Sequence, residues 1–61
     1  MAKDDPLLDL EWLSEYLDIP PRTIYAWRLR GEGPKGYRIG RHLRFRRSEV
    51  DQWLRTRADA P

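Results

Sequence analysis

A chain of 61 residues is long enough for one small domain, and the absence of cysteine excludes a disulfide framework. Its three tryptophans, three tyrosines and one phenylalanine favour a folded core over disorder. The formal net charge is only +2, yet residues 1–20 hold six acids and one base, whereas residues 22–47 hold nine bases and one acid. This segregation is typical of chains that contact nucleic-acid phosphates; the alternative is a solvated basic face without a partner.

The first two predicted helices are separated by only a few residues. Apolar residues recur at helical spacing after Asp9, a good N-cap, so we expect a first helix over residues 10–17. The segment Asp18-Ile19-Pro20-Pro21 ends it, because a residue before proline disfavours helical geometry, and Pro21 suits the first position of a second helix over residues 21–30. So short a connection predicts a helix-turn-helix. The residues expected to face the core are Leu10, Leu13, Leu17, Ile24 and Trp27.

A hairpin is predicted after the glycine-rich stretch GEGPKG, which ends the second helix and forms a loop. Apolar residues alternate with polar ones on both sides of Gly40-Arg41-His42. This alternation predicts two short strands with their apolar side on the helices and their arginines on the other side. The apolar residues of the pattern are Tyr37, Ile39, Leu43 and Phe45.

A third helix is predicted over residues 47–57, where Val50, Trp53 and Leu54 are expected to be buried. The fold class is therefore mostly α with a small β-hairpin, a winged helix-turn-helix in the order helix, helix, wing hairpin, helix. We expect one domain over residues 7–57, with a flexible N-terminal tail at residues 1–6 and a C-terminal tail at residues 58–61.

The second helix and the hairpin are the candidate functional elements. A helix fits the width of the DNA major groove, and a hairpin beside it can reach phosphates or the minor groove. Arg41 and His42 are expected at the tip of the wing, where arginine suits a narrow A·T-rich minor groove. The candidate contacts on the second helix are Arg22, Thr23, Tyr25, Ala26 and Arg28, and Arg30, Lys35, Arg46 and Arg47 are further candidates for phosphate contacts.

The sequence offers no pattern that indicates catalysis. It has no phosphate-binding glycine loop with its lysine and no Ser-His-Asp order, and His42 has no acidic or nucleophilic neighbour in sequence. We expect no enzymatic activity, cofactor, metal or small-molecule ligand. No apolar run is long enough for a membrane span, and the start MAKDDPLLDL lacks a signal-peptide layout. The expected location is the cytoplasm.

Residues 7–54 resemble the small excisionase-type DNA-binding domains, a branch related to the MerR-like winged helices of phages, plasmids and actinobacteria. The segments RTIYAWR, YRIGRHLRFRRSEV and QWL carry the resemblance. It implies a recognition helix formed by the residues named above and a DNA-contacting wing. It also implies a location in the cytoplasm of a bacterial or phage-infected cell, in association with the nucleoid. The wing residues implied are Arg38, Gly40, Arg41, His42 and Arg44. The sequence departs from the usual pattern at Pro20, where a serine or threonine cap is common, and at Ala26, where a polar or basic residue is frequent.

Three functions are open at this stage. The first is an excisionase, an architectural protein whose copies bind adjacent DNA sites cooperatively, bend the DNA and direct an integrase towards excision. The second is a small MerR-like transcription regulator. The third is a protein-interaction adaptor that uses Trp12 and the acidic first helix as its surface. The expected partners of the first are double-stranded DNA, a site-specific integrase and further copies of the chain.

Overall fold

The computed structural model describes residues 5–59. Its helices are α1 (Leu10–Leu17), α2 (Pro21–Leu29) and α3 (Arg47–Thr56), and its strands are β1 (Leu7–Leu8), β2 (Gly36–Ile39) and β3 (His42–Arg46). The predicted helices are confirmed to within one residue at each end. The winged helix-turn-helix fold is confirmed, since three helices accompany a small antiparallel sheet. The predicted tails lie partly outside the described residues.

Local capping explains the sharp turn between α1 and α2. The Asp9 carboxylate accepts the backbone N–H three residues on at 2.8 Å and so begins α1. Asp18 takes a left-handed conformation with φ 57°, and the N–H of Ile19 donates to the carbonyl of Ser14 at 3.0 Å. This pattern closes the last turn of α1, and Pro21 then begins α2 with a φ that is already suited to a helix.

The C-terminal end of α2 is fixed by a glycine. Gly31 has φ 70°, and its N–H donates to the carbonyl of Arg28 at 3.2 Å. The next N–H, that of Glu32, reaches back to the carbonyl of Trp27 at 2.8 Å. These two bonds form the Schellman pattern, in which a left-handed residue satisfies the last carbonyls of a helix. The chain therefore leaves α2 in a defined direction towards β2.

The hairpin has a different register from the one predicted. Its loop contains two residues, Gly40 and Arg41, so that Ile39 pairs with His42 and Tyr37 with Arg44. Directly paired residues lie on the same face of a sheet. The expectation that all four apolar residues of the pattern share the face towards the helices is therefore wrong: Leu43 and Phe45 share one face, whereas Tyr37 and Ile39 lie on the other. Tyr37 still contacts α3, because its hydroxyl donates to Glu49 at 2.7 Å. Ile39 is 52% exposed.

The sheet also contains a third strand that the sequence analysis did not predict. β1 pairs antiparallel with β3, with Leu8 opposite Phe45 and Leu7 opposite Arg46, so the strand order is β1-β3-β2. β3 is thus the central strand. A strand of two residues is too short to show an alternating pattern, and its partner lies almost forty positions further along the chain.

The core takes one fully buried residue from each of α1, α2, β3 and α3: Leu13, Ile24, Phe45 and Val50. Trp27 and Trp53, which were expected in the core, are half-buried and pack against each other with ring centroids 5.3 Å apart. The expected burial of Leu54 is wrong, since this side chain is 37% exposed on the last turn of α3.

Asp5 caps α3 from the other end of the chain. Its carboxylate accepts the backbone N–H of Ser48 at 3.0 Å and the Ser48 hydroxyl at 2.8 Å, and Arg46 lies 3.6 Å away. Asp5 falls within the segment predicted as the N-terminal tail, yet it tethers β1 to α3. The hydrogen bond from the Ser48 N–H, helped by its hydroxyl and by Arg46, lowers the pKa of Asp5 against the opposing effect of burial.

We expect Asp5→Asn to lower the melting temperature at neutral pH, because asparagine keeps an acceptor for the helix end but loses the charge. A lowered pKa in the folded state stabilises the fold above the unfolded pKa, and this contribution is lost as the pH falls through the folded pKa. The difference in melting temperature between the two proteins should therefore shrink below the ordinary aspartate pKa of 3.8. Thermal melts from pH 7 to pH 2 test this, and a constant difference would contradict it.

Candidate nucleic-acid interface

The outer surface of α2 carries most of the residues predicted to form the recognition helix. Ile24 anchors the helix in the core. On the other side, Arg22 is exposed and Tyr25 is 57% exposed, while Thr23 and Ala26 are half-buried at the flanks. Arg22 and Tyr25 are three residues apart, so that they lie on the same face of the helix. This face offers one guanidinium and one phenol ring to solvent.

Arg28 has a different position from the other residues of this group. Its guanidinium lies over the backbone of Gly36 at the start of β2, so closely that an added Cβ there would collide with it. Leu43 of β3 borders the same space, with its Cδ1 3.2 Å from that Cβ position. Arg28 therefore bridges α2 and the wing, and the lack of a side chain at Gly36 leaves room for this close approach.

The wing, which we define as β2, β3 and the loop between them, presents its cations at its tip. Gly40 has φ 61°, which a two-residue hairpin loop with glycine in first place requires. Arg41 and His42 are exposed there. Arg44 is half-buried and donates from its guanidinium to the carbonyl of Leu43 at 2.9 Å. The loop thus projects Arg41 and His42 into solvent, as predicted for a wing tip.

A groove separates the start of α2 from the wing, and it brings the two candidate elements together. Tyr25 lines it from the helix side, and Asp9 and Glu11 at the start of α1 close one end. The wing contributes four polar residues to its wall: Arg38, Arg41, His42 and Arg44. Arg38 also lies beside Tyr25 in a second hollow, because the observed register places it on the face of Leu43. The candidate recognition helix and wing therefore form one continuous surface.

The four further candidates for phosphate contacts lie outside this groove. Arg30 pairs with Glu32 at 3.4 Å on the surface, and Arg46 lies 3.9 Å from Glu49 in addition to its contact with Asp5. The ammonium of Lys35 stands 5.3 Å from the ring of Tyr37. Arg47 stands 5.7 Å from the ring of Tyr16, whose hydroxyl donates to Asp51 at 2.6 Å. The structure does not bring these four cations to the groove between α2 and the wing.

The basic segment formed by residues 22–47 has few ion pairs. Of its nine bases, Arg30 and Arg46 have a carboxylate partner within 4.0 Å, and the remaining seven have none within residues 5–59. Like charges at this density repel one another and destabilise a small fold unless a partner neutralises them. The seven are Arg22, Arg28, Lys35, Arg38, Arg41, Arg44 and Arg47.

A protruding helix beside a basic wing is the geometry by which proteins enter the two grooves of DNA. Residues 7–58 match the model of the helix-turn-helix domain family. The chain belongs to this family. The helix-turn-helix domain binds double-stranded DNA and occurs in excisionase-like proteins. No curated protein shows significant similarity to the chain. Within residues 5–59, no helix has the length and apolar composition that a membrane crossing needs.

Leu29 lies on the outer face of α2 with Arg22 and Tyr25, and it is not among the residues predicted to contact DNA. This leucine is 90% exposed. Its spacing of seven residues from Arg22 and four from Tyr25 was visible in the sequence and places the three side chains on one face. The sequence did not indicate that Leu29 is exposed, because an apolar residue near a helix end is usually interpreted as part of the core.

Proposed function

We propose that this helix-turn-helix protein is an excisionase: a sequence-specific architectural DNA-binding protein that bends its target and directs an integrase towards excision. The observation that carries the proposal is the groove between α2 and the wing, where Arg38 and Arg41 have no acidic partner within 4.0 Å among the described residues. Arg22, also without such a partner, is exposed at the start of α2. Such a surface binds phosphates by releasing the counterions that surround DNA.

In the proposed complex α2 occupies the major groove and the wing enters the neighbouring minor groove. Arg22 and Tyr25 face the base edges, and Arg41 with His42 reaches the minor groove from the tip of the hairpin. A narrow A·T-rich minor groove attracts arginine because its negative potential is enhanced. Contacts in two successive grooves from one side of the duplex favour a bend towards the protein.

The small footprint of this domain favours cooperative binding. One copy contacts few base pairs, so that side-by-side binding is the way to gain affinity and specificity. Glu15 on α1 and Asp18 just after it are exposed and make no ion pair within residues 5–59. These acids are complementary in sign to the wing of a neighbouring copy. The proposed assembly is therefore an open head-to-tail row along the DNA.

The adaptor function receives less support from the structure. Trp12, its proposed contact residue, is half-buried and stacks on Tyr16 with ring centroids 4.7 Å apart. Much of the indole surface is therefore already used inside the domain.

The test is a gel-shift titration on a duplex selected from a randomised library, carrying one, two or three tandem copies of the selected site. The titration is run at two salt concentrations, and phased-bend probes accompany it. A ladder of salt-sensitive complexes that bend the DNA supports the proposal, and stimulation of excision by an integrase encoded in the same element completes it. A single unbent complex indicates a transcription regulator instead, and salt-insensitive or absent binding contradicts a DNA-binding function.

A further inference from the structure

Four residues of α2 have the spacing of a helix that reads bases along a groove. In one helix-turn-helix variant, the homeodomain, the recognition helix contacts bases in the major groove with residues at i, i+3, i+4 and i+7. On α2 these positions are Arg22, Tyr25, Ala26 and Leu29, counted from the first exposed residue of the helix. Tyr25 is 57% and Leu29 90% exposed, so the outer face of α2 has an apolar C-terminal half.

This outer face has few groups that can hydrogen-bond to base edges. Only the Arg22 guanidinium and the Tyr25 hydroxyl can do so, while Ala26 and Leu29 offer only hydrocarbon. In the major groove the bases present hydrogen-bonding atoms and one apolar group, the C5-methyl of thymine. We propose that α2 recognises its DNA target partly through thymine methyl groups, which pack against Leu29 and against the ring of Tyr25.

The surroundings of Leu29 favour a DNA contact over a role in the fold. Leu29 shares a shallow hollow with Tyr25 and Leu43, and two arginines, Arg28 and Arg38, line the same hollow. An apolar floor flanked by cations fits a base step, since the methyl group lies between phosphates that the guanidinium groups neutralise. At 90% exposure the leucine contributes little to the core, and burying it on DNA removes apolar surface from water.

The inference rests on the proposed DNA binding, and the experiment distinguishes a failure of the inference from a failure of DNA binding. The probe is the duplex that the wild-type protein selects from a randomised library, with each thymine replaced in turn by deoxyuridine. This replacement removes only the C5-methyl group. We expect one to three positions at which the affinity falls about three- to fivefold, which corresponds to the loss of one buried methyl-sized group.

A double-mutant cycle identifies the protein partner of each methyl group. Leu29→Ala should weaken binding to the thymine duplex, and the deoxyuridine penalty should disappear at the positions that Leu29 contacts. Tyr25→Ala should do the same at the positions that the ring contacts. Leu29→Ala should leave the melting temperature unchanged, because the side chain is exposed. This control keeps a loss of affinity separate from a loss of fold.

Two results overturn the inference while DNA binding stands: no position shows a deoxyuridine penalty, or every penalty persists in full in both variants. If instead the wild-type protein selects no sequence from the library, the proposed sequence-specific function itself fails.

Discussion

Phe45→Ala is expected to remove a large part, or all, of the stability of the protein. Phe45 lies in the central strand β3 and has no exposed surface. Truncating a buried phenylalanine to alanine costs about 3–5 kcal/mol. A domain of 61 residues has a total stability of about 3–9 kcal/mol at the usual ~0.05–0.15 kcal/mol per residue. The substitution therefore removes a large part, or all, of the free energy of unfolding.

The measurement is urea unfolding followed by near-ultraviolet circular dichroism and tryptophan fluorescence. Phe45→Leu should retain the fold, because it keeps most of the apolar volume. Ile39→Ala is the matched control in the same hairpin: Ile39 is 52% exposed, and its truncation should cost less than half as much. Equal losses from Ile39→Ala and Phe45→Ala would show that both side chains support the core and would contradict the register described above.

Ile39 and Phe45 show which features of the hairpin the sequence predicts and which it does not. The alternation of apolar and polar residues around Gly40 predicted both strands, but it does not determine how many residues form the loop between them. A loop of three residues pairs Ile39 with Leu43, whereas the observed loop of two residues pairs Ile39 with His42. A shift of one residue moves a side chain to the opposite face of a sheet. The positive φ of Gly40 in the shorter loop decided the register.

The helices were predictable because their signals are local. Asp9, Pro21 and Gly31 each act on the backbone within a few residues, so that the ends of α1 and α2 could be derived from the sequence. The contact between Asp5 and Ser48 joins positions 43 residues apart, and no local signal announces it. The same holds for Arg28 over Gly36, which depends on how the wing packs beside α2.

The candidate site was predictable as a set of residues but not as an arrangement. The density of arginine pointed to α2 and the wing, and the structure joins Tyr25 and Arg38 in one groove. It also separates Arg46 and Arg47 from that groove: Arg46 lies within 4.0 Å of Asp5 and Glu49, and Arg47 lines a different hollow with Asp5 and Asp51. Counting charges along the sequence cannot tell which arginines line the groove, since Arg44 and Arg46 are only two residues apart in the same strand.

The second large effect is expected from Arg22→Ala, which should weaken binding to the selected duplex more than binding to random DNA. Arg22 is exposed at the start of α2, where the first residues of a recognition helix meet base edges. Loss of a bidentate arginine contact to a base costs about 1–3 kcal/mol, or roughly five- to 150-fold in affinity. Random DNA, which lacks the matching base, should lose only the electrostatic part of this contact.

Arg41→Ala should show the opposite pattern. Arg41 projects from the wing tip, so its removal should weaken binding to selected and random DNA alike and reduce the slope of log affinity against log salt by about 1. Arg44→Ala should behave in the same way, with a smaller effect if its bond to the Leu43 carbonyl persists on DNA.

Arg57→Ala provides the matched control for charge. It lowers the formal net charge from +2 by the same single unit, but Arg57 follows α3 and lines a hollow with Trp27 and Trp53, away from the groove between α2 and the wing. Fluorescence anisotropy at several salt concentrations, on both kinds of DNA, gives all the required affinities. If Arg57→Ala weakens binding as much as Arg41→Ala, net charge and not the wing governs affinity. If Arg22→Ala weakens binding to both kinds of DNA equally, Arg22 binds phosphate. Base recognition must then depend on the other outer residues of α2.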